Sequence, residues 1–474
     1  MTRRWLLAFA AVALALGCHS TGGSKDVRSR PNVVIVFVDD MGYGDWTDSD
    51  GIATPALDRL AREGQRSTRA YVSQPVCSAS RASLLTGCYA NRLGIHGALG
   101  PGARHGLAAS ETTIAESLKA AGWRTACFGK WHLGHLAPFS PLAHGFDEFY
   151  GIPYSNDMWP FHPESPDAWG DLPTIDGTKV VGVNTDQNRF TGDFTERGVA
   201  FIERAVEADV PFFLYLAHPM PHVPLHASAD ARGRSSRGLF GDVIQEIDAS
   251  VGRVLDTLDE LGVADDTWVM FLSDNGPWLS YGNHAGSSGG LREGKGTTFE
   301  GGVRIPAVMR WPNAIPAGTN CDTPWMTIDV LPSLVDALEL EAPALPIDGK
   351  SAWNVWTQGA PSPQEAYAFY YGQGRLEAIV AGDWKLHFPH VYRTMAGRDV
   401  GRDGQPGKYD YSVRTGLELY DLSSDPSESV NRALDEPEVL ARLIQLADGF
   451  RRDLGDRAVG LRHGRGLREP GRCP

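Results

Sequence analysis

The sequence predicts an α/β protein built on a parallel sheet, and three observations predict it. From Pro31 onward, apolar runs rich in β-branched and aromatic residues alternate with helical patterns, the rhythm of strands joined by crossover helices. The run NVVIVFV at 32–38 is continuously apolar, as a strand buried on both faces requires. Each such run then hands over to polar, chemically capable side chains: Asp39 and Asp40, Lys130 and His132, His218 and His222, Asp274 and Asn275. In open α/β sheets ligands bind just beyond the carboxyl ends of the strands, so four strand ends are expected to point at one site.

The elements follow in order. The first strand stops at Asp39 and Asp40. Thr54 then caps a helix with Pro55 at its first position and Leu57, Leu60 and Ala61 on one face, ending at Gly64. Helices are expected at 111–121, 195–206 and 242–261, and strands at 124–128, 211–217 and 267–272. After Gly349 the texture changes to a Pro/Ser/Gln stretch, short aromatic strands such as 378–388, and a terminal helix near 437–454. The division is a large domain at 31–355, a smaller antiparallel C-terminal subdomain at 356–455, and a Gly/Arg-rich tail at 456–474 expected to be mobile. No internal repeat is present.

The N-terminus, MTRRWLLAFAAVALALGCHS, has a basic start and an apolar run, so residues 1–18 read as an export signal. Two finer readings stay open: Arg3 and Arg4 suit a twin-arginine signal, and LALGC suits a lipoprotein cleavage box with Cys18 lipidated. Residues 19–30 form a polar linker. The expected location is periplasmic or cell-envelope, lipid-anchored or secreted. The 474 residues carry a net charge of −14 with no Lys/Arg-rich run, which argues against nucleic acid and against a membrane partner other than through a lipid on Cys18. Six cysteines form no framework by spacing; with Cys18 and Cys77 set apart, four remain and three pairings are open. There is no CxxC or HExxH pattern, so a common zinc site is not expected.

Asp39, Asp40 and Asp274, with the amide of Asn275, are hard oxygen donors that would repel one another unless a divalent cation, Ca²⁺ or Mg²⁺, sat among them. Singly, DD and DNG are ordinary turn chemistry after strands. Arg81, Lys130, His132, His222 and Lys295 supply a guanidinium fork and ammoniums of the kind a sulfate or phosphate needs, although a lone loop His or Lys is usually structural, as His218 is read here. Cys77 lies in PVCSASRASLLTG; as a thiolate it would attack carbonyls, not oxyanion esters, and it could equally be a buried free thiol or pair with Cys88. Trp159, Trp169, Trp278 and Tyr281 are candidate rim residues for stacking on a ring.

That motif resembles the signature of the type I, formylglycine-dependent sulfatases. So, in family order, do PNVVIVFVDDMGYGD, GKWHLGH, HGFDEFYGIPYSND, FLSDNGPW, GKGTTFEGGVRIPAVMRWP and LELYDLSSDP, spanning Pro31 to about Asn431. GIPYSND and RGLFGDVIQEIDASVG look most like the arylsulfatase A and N-acetylgalactosamine-6-sulfatase branch. The resemblance implies an alkaline-phosphatase-like sandwich, with a large mixed, mostly parallel sheet flanked by helices and a small antiparallel C-terminal sheet. It implies a sulfuric ester hydrolase in which Cys77 is oxidised to Cα-formylglycine by a dedicated generating enzyme that reads residues 77–88. It further implies Ca²⁺ rather than Mg²⁺ on Asp39, Asp40, Asp274 and Asn275, facing the modified Cys77. Arg81 would hold the formylglycine hydrate, Lys130, Lys295 and Ser155 the sulfate, His132 the second hydroxyl, and His222 the leaving oxygen. Ala79 stands where proline is commoner and Cys88 where arginine is usual, both within the segment the modifying enzyme reads. The implied substrate is an aryl or carbohydrate sulfate. Two rivals are a phosphomonoester or phosphonate hydrolase of the same superfamily and an unmodified, inactive binder of sulfated glycans.

Overall fold

The computed structural model describes residues 1, 2, 30–47, 51–162 and 164–473. Nearly all of the expected export signal and linker lies outside them, and among the described residues no helix is long and apolar enough to cross a membrane.

The strand Asn32–Val38 sits at the centre of an 11-stranded sheet, flanked by Phe212–Ala217 and Thr267–Ser273, both parallel to it. Arg124–Lys130 pairs parallel with the far side of Phe212–Ala217, and Glu148–Ile152 continues in parallel beyond it. Antiparallel strands extend the sheet, with Arg304–Arg310 between Thr267–Ser273 and Gln65–Tyr71; Thr319–Cys321 and Trp325–Met326 form that edge, parallel to Gln65–Tyr71, and Pro173–Asp176 and Lys179–Val183 form the other. The sheet is mixed and mostly parallel.

The period-2 geometry of the central strand divides its side chains between two cores. Val33, Ile35 and Phe37 join one apolar cluster, Val34, Val36 and Val38 the other, and all six are fully buried. Against the second face pack the helices Pro55–Glu63, Phe190–Glu207 and Leu239–Glu260. The first face carries Cys77–Thr86, Ile114–Ala120 and Val330–Ala337, together with a four-stranded antiparallel sheet of Tyr367–Tyr371, Arg375–Ala381, Trp384–His387 and Glu418–Asp421. The helix Pro437–Leu454 covers that small sheet through Leu443, Ala447 and Leu454.

Three helix starts differ from the sequence expectation, the helix expected at 242 beginning at Leu239; the other two have a local physical reason. Residues 111–113 lie outside the helix Ile114–Ala120 because Thr113 and Glu116 form a reciprocal capping box that fixes its start. The helix expected at 195 begins at Phe190, carried through Gly192 by packing of Phe190 and Phe194 in the core.

The tail also departs from expectation, because its arginines and backbone find partners in the body of the protein. Arg468 donates its backbone N–H to the Arg92 carbonyl at 2.7 Å and places Nε 3.2 Å from Glu111 Oε1. Gly471–Arg472 pairs antiparallel with His105–Gly106.

Candidate active site

The four central parallel strands end at one edge of the sheet, and that edge assembles the expected cluster. Asp39 and Asp40 follow Asn32–Val38, Asp274 and Asn275 follow Thr267–Ser273, His222 follows Phe212–Ala217, and Lys130 closes Arg124–Lys130 with His132 just beyond. Asp40 (φ 66°) and His132 (φ 61°) are held in the left-handed region, which costs a non-glycine residue on the order of 1–3 kcal/mol and recurs at functional sites. Gly129 (φ 118°) is required where the chain turns to aim Lys130, since a Cβ there would lie 1.9 Å from the Ala217 carbonyl oxygen. Cys77 opens the helix Cys77–Thr86, and Arg81 stands one turn later; the four-residue spacing puts both side chains on the same helix face.

All of these side chains are buried. Arg81 donates from Nη2 to Asp274 Oδ2 at 2.8 Å, lies 3.6 Å from Asp39 Oδ2, and donates from Nη1 to the Lys130 carbonyl at 3.3 Å. Lys130 Nζ donates to Asp39 and, at 3.0 Å, to Ser155 Oγ. Lys295 Nζ donates to Asp40 Oδ2 at 2.8 Å and sits 4.6 Å above the Trp278 ring. His222 directs Nε2 at Asp40 Oδ2, 3.6 Å away, while its Nδ1 is 2.6 Å from the Val223 carbonyl, so Nδ1 carries the proton. Asn275 donates to Asp40 Oδ1 at 2.7 Å.

Two buried oxygens, Asp39 Oδ1 and Asn275 Oδ1, have no hydrogen-bond partner, which is costly unless something charged meets them. Ligand atoms of Asp39, Cys77 and Asp274 lie within 4.8 Å of one another, as do those of Asp39, Asp40 and His222. Orphaned hard oxygens beside clustered carboxylates fit a divalent cation of the calcium type.

The electrostatics are equally unusual. Burial alone would raise Asp39, but Lys130, His222, Arg81 and Lys295 hold it well below the usual carboxylate range. Burial and neighbouring Asp39 push Asp274 up to about 7 against the pull of Arg81. Burial pushes the Cys77 thiol up to about 11 despite Lys130 and Lys295. His132 is driven well below the imidazole range by burial, Lys130 and Arg81, and neither ring nitrogen has a partner. Burial and Lys295 lower His222, opposed by Asp40, Asp39 and Asp157.

Asp39, Asp40, Cys77, Arg81, Lys130, His132, Ser155, His222, Asp274, Asn275 and Lys295, all named from sequence, come together in this cluster. Three contributors were not legible as such. Asp157 is buried beside Ser155 and is held low by His222 and His162 against burial; its only signal is its place in GIPYSND. Trp278, expected merely at the rim, stands edge-on to His222 with 5.5 Å between rings. Arg393, from the small subdomain, donates from Nε to the Lys295 carbonyl at 2.9 Å, with no local sequence signal. The other rim candidates do not stand free: Tyr281 is buried and donates to Glu164, Trp159 packs on Phe161, and Trp169 lies against Gly100. Cys77, Cys88, Cys127, Cys321 and Cys473 are all free thiols. Cys88 is not bare: Arg468 brings Nη2 from the tail to 3.0 Å from its sulfur.

The sulfatase family profile matches residues 31–340. The chain belongs to the sulfatase family. It is 37% identical over 449 residues to arylsulfatase A of Homo sapiens, covering 89% of this chain and 87% of that protein. It is 34% identical over 473 residues to N-acetylgalactosamine-6-sulfatase of Sus scrofa, covering 94% and 88%. The fold matches the crystal structure of the PsFucS1 sulfatase from Pseudoalteromonas sp. with a TM-score of 0.78 at 26% identity, covering 89% of this chain and 90% of that one. This sulfatase is therefore a sulfuric ester hydrolase with the family's sandwich architecture, and its resemblance lies with the arylsulfatase A and N-acetylgalactosamine-6-sulfatase branch.

Proposed function

We propose that the protein cleaves an aryl or carbohydrate sulfate to an alcohol and inorganic sulfate, with a Cα-formylglycine derived from Cys77 and a Ca²⁺ on Asp39, Asp40, Asp274 and Asn275. The observation that carries this reading is the position of Cys77: its sulfur lies with Asp39 and Asp274 oxygens inside one 4.8 Å cluster. A thiol pushed up to about 11 is neutral at physiological pH, which disfavours direct use of the sulfur as a nucleophile. Formylglycine, when hydrated, supplies a hydroxyl nucleophile on a carbon that can also expel sulfate, and Ca²⁺ supplies positive charge beside it.

The chain's own residues do the rest. Lys130, Ser155 and Lys295 would hold sulfate oxygens; the two ammoniums lie against Asp39 and Asp40, carboxylates that a divalent cation would share, and Ser155 stands beside Lys130. Four buried carboxylates, Asp39, Asp40, Asp157 and Asp274, face three buried cations, so with a divalent cation the pocket would be net positive by about one charge and suit an anionic ester. Arg81 orients Asp274 and the side chain of residue 77. His222, its Nδ1–H fixed on Val223, delivers a proton from Nε2 to the departing oxygen, and Asp40 and Asp157 favour the charged ring that this requires. His132, kept neutral with a free lone pair, accepts a proton from the residue-77 side chain as sulfate leaves. Relatives named for aryl and N-acetylgalactosamine 6-sulfate esters frame the substrate class. Export to the periplasm or cell envelope, and maturation by an enzyme reading residues 77–88, complete the reading.

The test is the mass of the tryptic peptide AYVSQPVCSASR from protein exported by its own host, paired with sulfate release from nitrophenyl sulfate. An aldehyde at residue 77 is expected, and Cys77→Ala is expected to lower kcat by roughly 10⁴-fold or more. Near-normal turnover by that variant, or faster cleavage of nitrophenyl phosphate, would overturn the assignment.

A further inference from the structure

Residues 454–473 carry five arginines, Arg457, Arg462, Arg465, Arg468 and Arg472, against two carboxylates, Asp456 and Glu469, in a chain of net charge −14. Asp456 is buried and spent on Arg451 and on the Leu376 and Ala458 amides. Between this tail and the loop after the Cys77 helix lies a cleft of about 440 Å³, lined by His96, His105, Gly374, Arg457, Arg462 and His463 among others. Arg468 is paired with Glu111 and Arg472 with Glu469. Among the described residues the side chains of Arg457 and Arg462 have no hydrogen-bond or carboxylate partner, and both are exposed to the cleft's solvent. The cleft thus concentrates unneutralised positive charge on an otherwise acidic molecule. His96 reports the same field: burial first, then Arg457 and His105, push its imidazole down.

The cleft is a near neighbour of the reaction centre. Tyr371 packs against the cluster of Val76, Cys77, Ala79 and Ala90, while Gly374, three residues on around the same hairpin turn, lines the cleft and accepts the Arg457 N–H at 3.1 Å. Three residues of chain span at most about 10 Å.

We propose that this cleft is a second anion site, in which Arg457 and Arg462 bind a further sulfate group of a sulfated oligosaccharide whose reacting ester sits at residue 77. The proposal rests on the sulfate-ester reading above and narrows it from single esters to multiply sulfated glycans. Guanidinium forks pair bidentately with tetrahedral oxyanions, and two unpaired forks beside partly buried imidazoles are what a tethered sulfate would meet. The anchoring of the tail at Arg468 and at Gly471–Arg472 keeps the cleft open with no ligand-dependent folding step.

The experiment measures binding of a fluorescent chondroitin 6-sulfate tetrasaccharide to the full-length Cys77→Ala protein, with and without Arg457→Gln and Arg462→Gln, across salt concentration. Loss of the two arginines is expected to weaken binding about tenfold or more and to flatten its salt dependence. A hyaluronan tetrasaccharide, carboxylated but unsulfated, is expected to bind weakly to both proteins. Equal affinity of the two proteins for the sulfated probe, or equal binding of the unsulfated one, would overturn the proposal. Both arginines are exposed, so an unchanged melting curve confirms that the altered protein is folded. The readout needs no turnover, so failure of sulfate release by the wild-type protein would sink the catalytic reading without deciding this one.

Discussion

His222 is pulled in two directions: burial and Lys295 favour the neutral ring, while Asp40, Asp39 and Asp157 favour the charged one. A proton donor needs that balance, because a ring locked in either form cannot both give up and recover a proton. We therefore expect His222→Asn to slow cleavage of sugar sulfates by roughly 10²–10⁴-fold and of nitrophenyl sulfate far less, since nitrophenolate leaves without protonation. Equal losses on both esters would show that the ring binds sulfate instead. At this scale the sequence was most informative where chemistry sits at a strand end, as for Asp39, Lys130 and Asp274. It was silent on Arg393, whose contact with the Lys295 carbonyl joins residues far apart in the chain and follows from tertiary packing alone.

Among elements, the small subdomain reaches the site through a buried ionic knot. Lys385 Nζ lies 2.9 Å from Glu300 and 3.2 Å from Glu428, and Glu428 also meets His387 at 2.7 Å and the Glu300 amide at 2.6 Å. Glu300 ends the loop that carries Lys295, so the small sheet braces one wall of the pocket. Lys385→Ala would leave two buried carboxylates without their ammonium. It is expected to cost about 3–5 kcal/mol in denaturant unfolding and to raise KM by loosening Lys295. An unchanged unfolding midpoint would mean that the knot contributes nothing. Several strands escaped the sequence reading, two of them for clear physical reasons. Arg304–Arg310 contains Pro306, which breaks the strand pattern and falls where the pairing register with Gln65–Tyr71 shifts. QRSTRAY is too polar to signal a strand, yet it lies between the Arg304–Arg310 strand and the sheet's edge strands, with Ala70 and Tyr71 buried.

The whole molecule gathers three buried carboxylates and an amide, Asp39, Asp40, Asp274 and Asn275, at one sheet edge, where an added divalent cation would relieve their mutual repulsion. Added Ca²⁺ is therefore expected to raise the melting temperature by a few degrees, corresponding to about 2.7 kcal/mol at a hundredfold excess over Kd. Asp274→Asn should remove most of that shift; a shift that persists in full would take Asp274 out of the ligand set. The layered architecture was legible because buried parallel strands and their crossover helices have strong periodic signals. The path of the tail was not, because its glycines and arginines acquire order from partners far away in the chain, among them Glu111, Arg92 and the His105–Gly106 strand. The depth at which Cys77 lies, 2% exposed beneath Tyr371, has a consequence in time as well as in space. On the proposed reading, an enzyme that converts Cys77 has to reach a side chain that the finished fold exposes only through opening of the surrounding structure. The window for the proposed conversion would then close when the polypeptide collapses. On that reading, two chains of identical sequence end as different molecules according to which event came first, and slower folding favours the converted one.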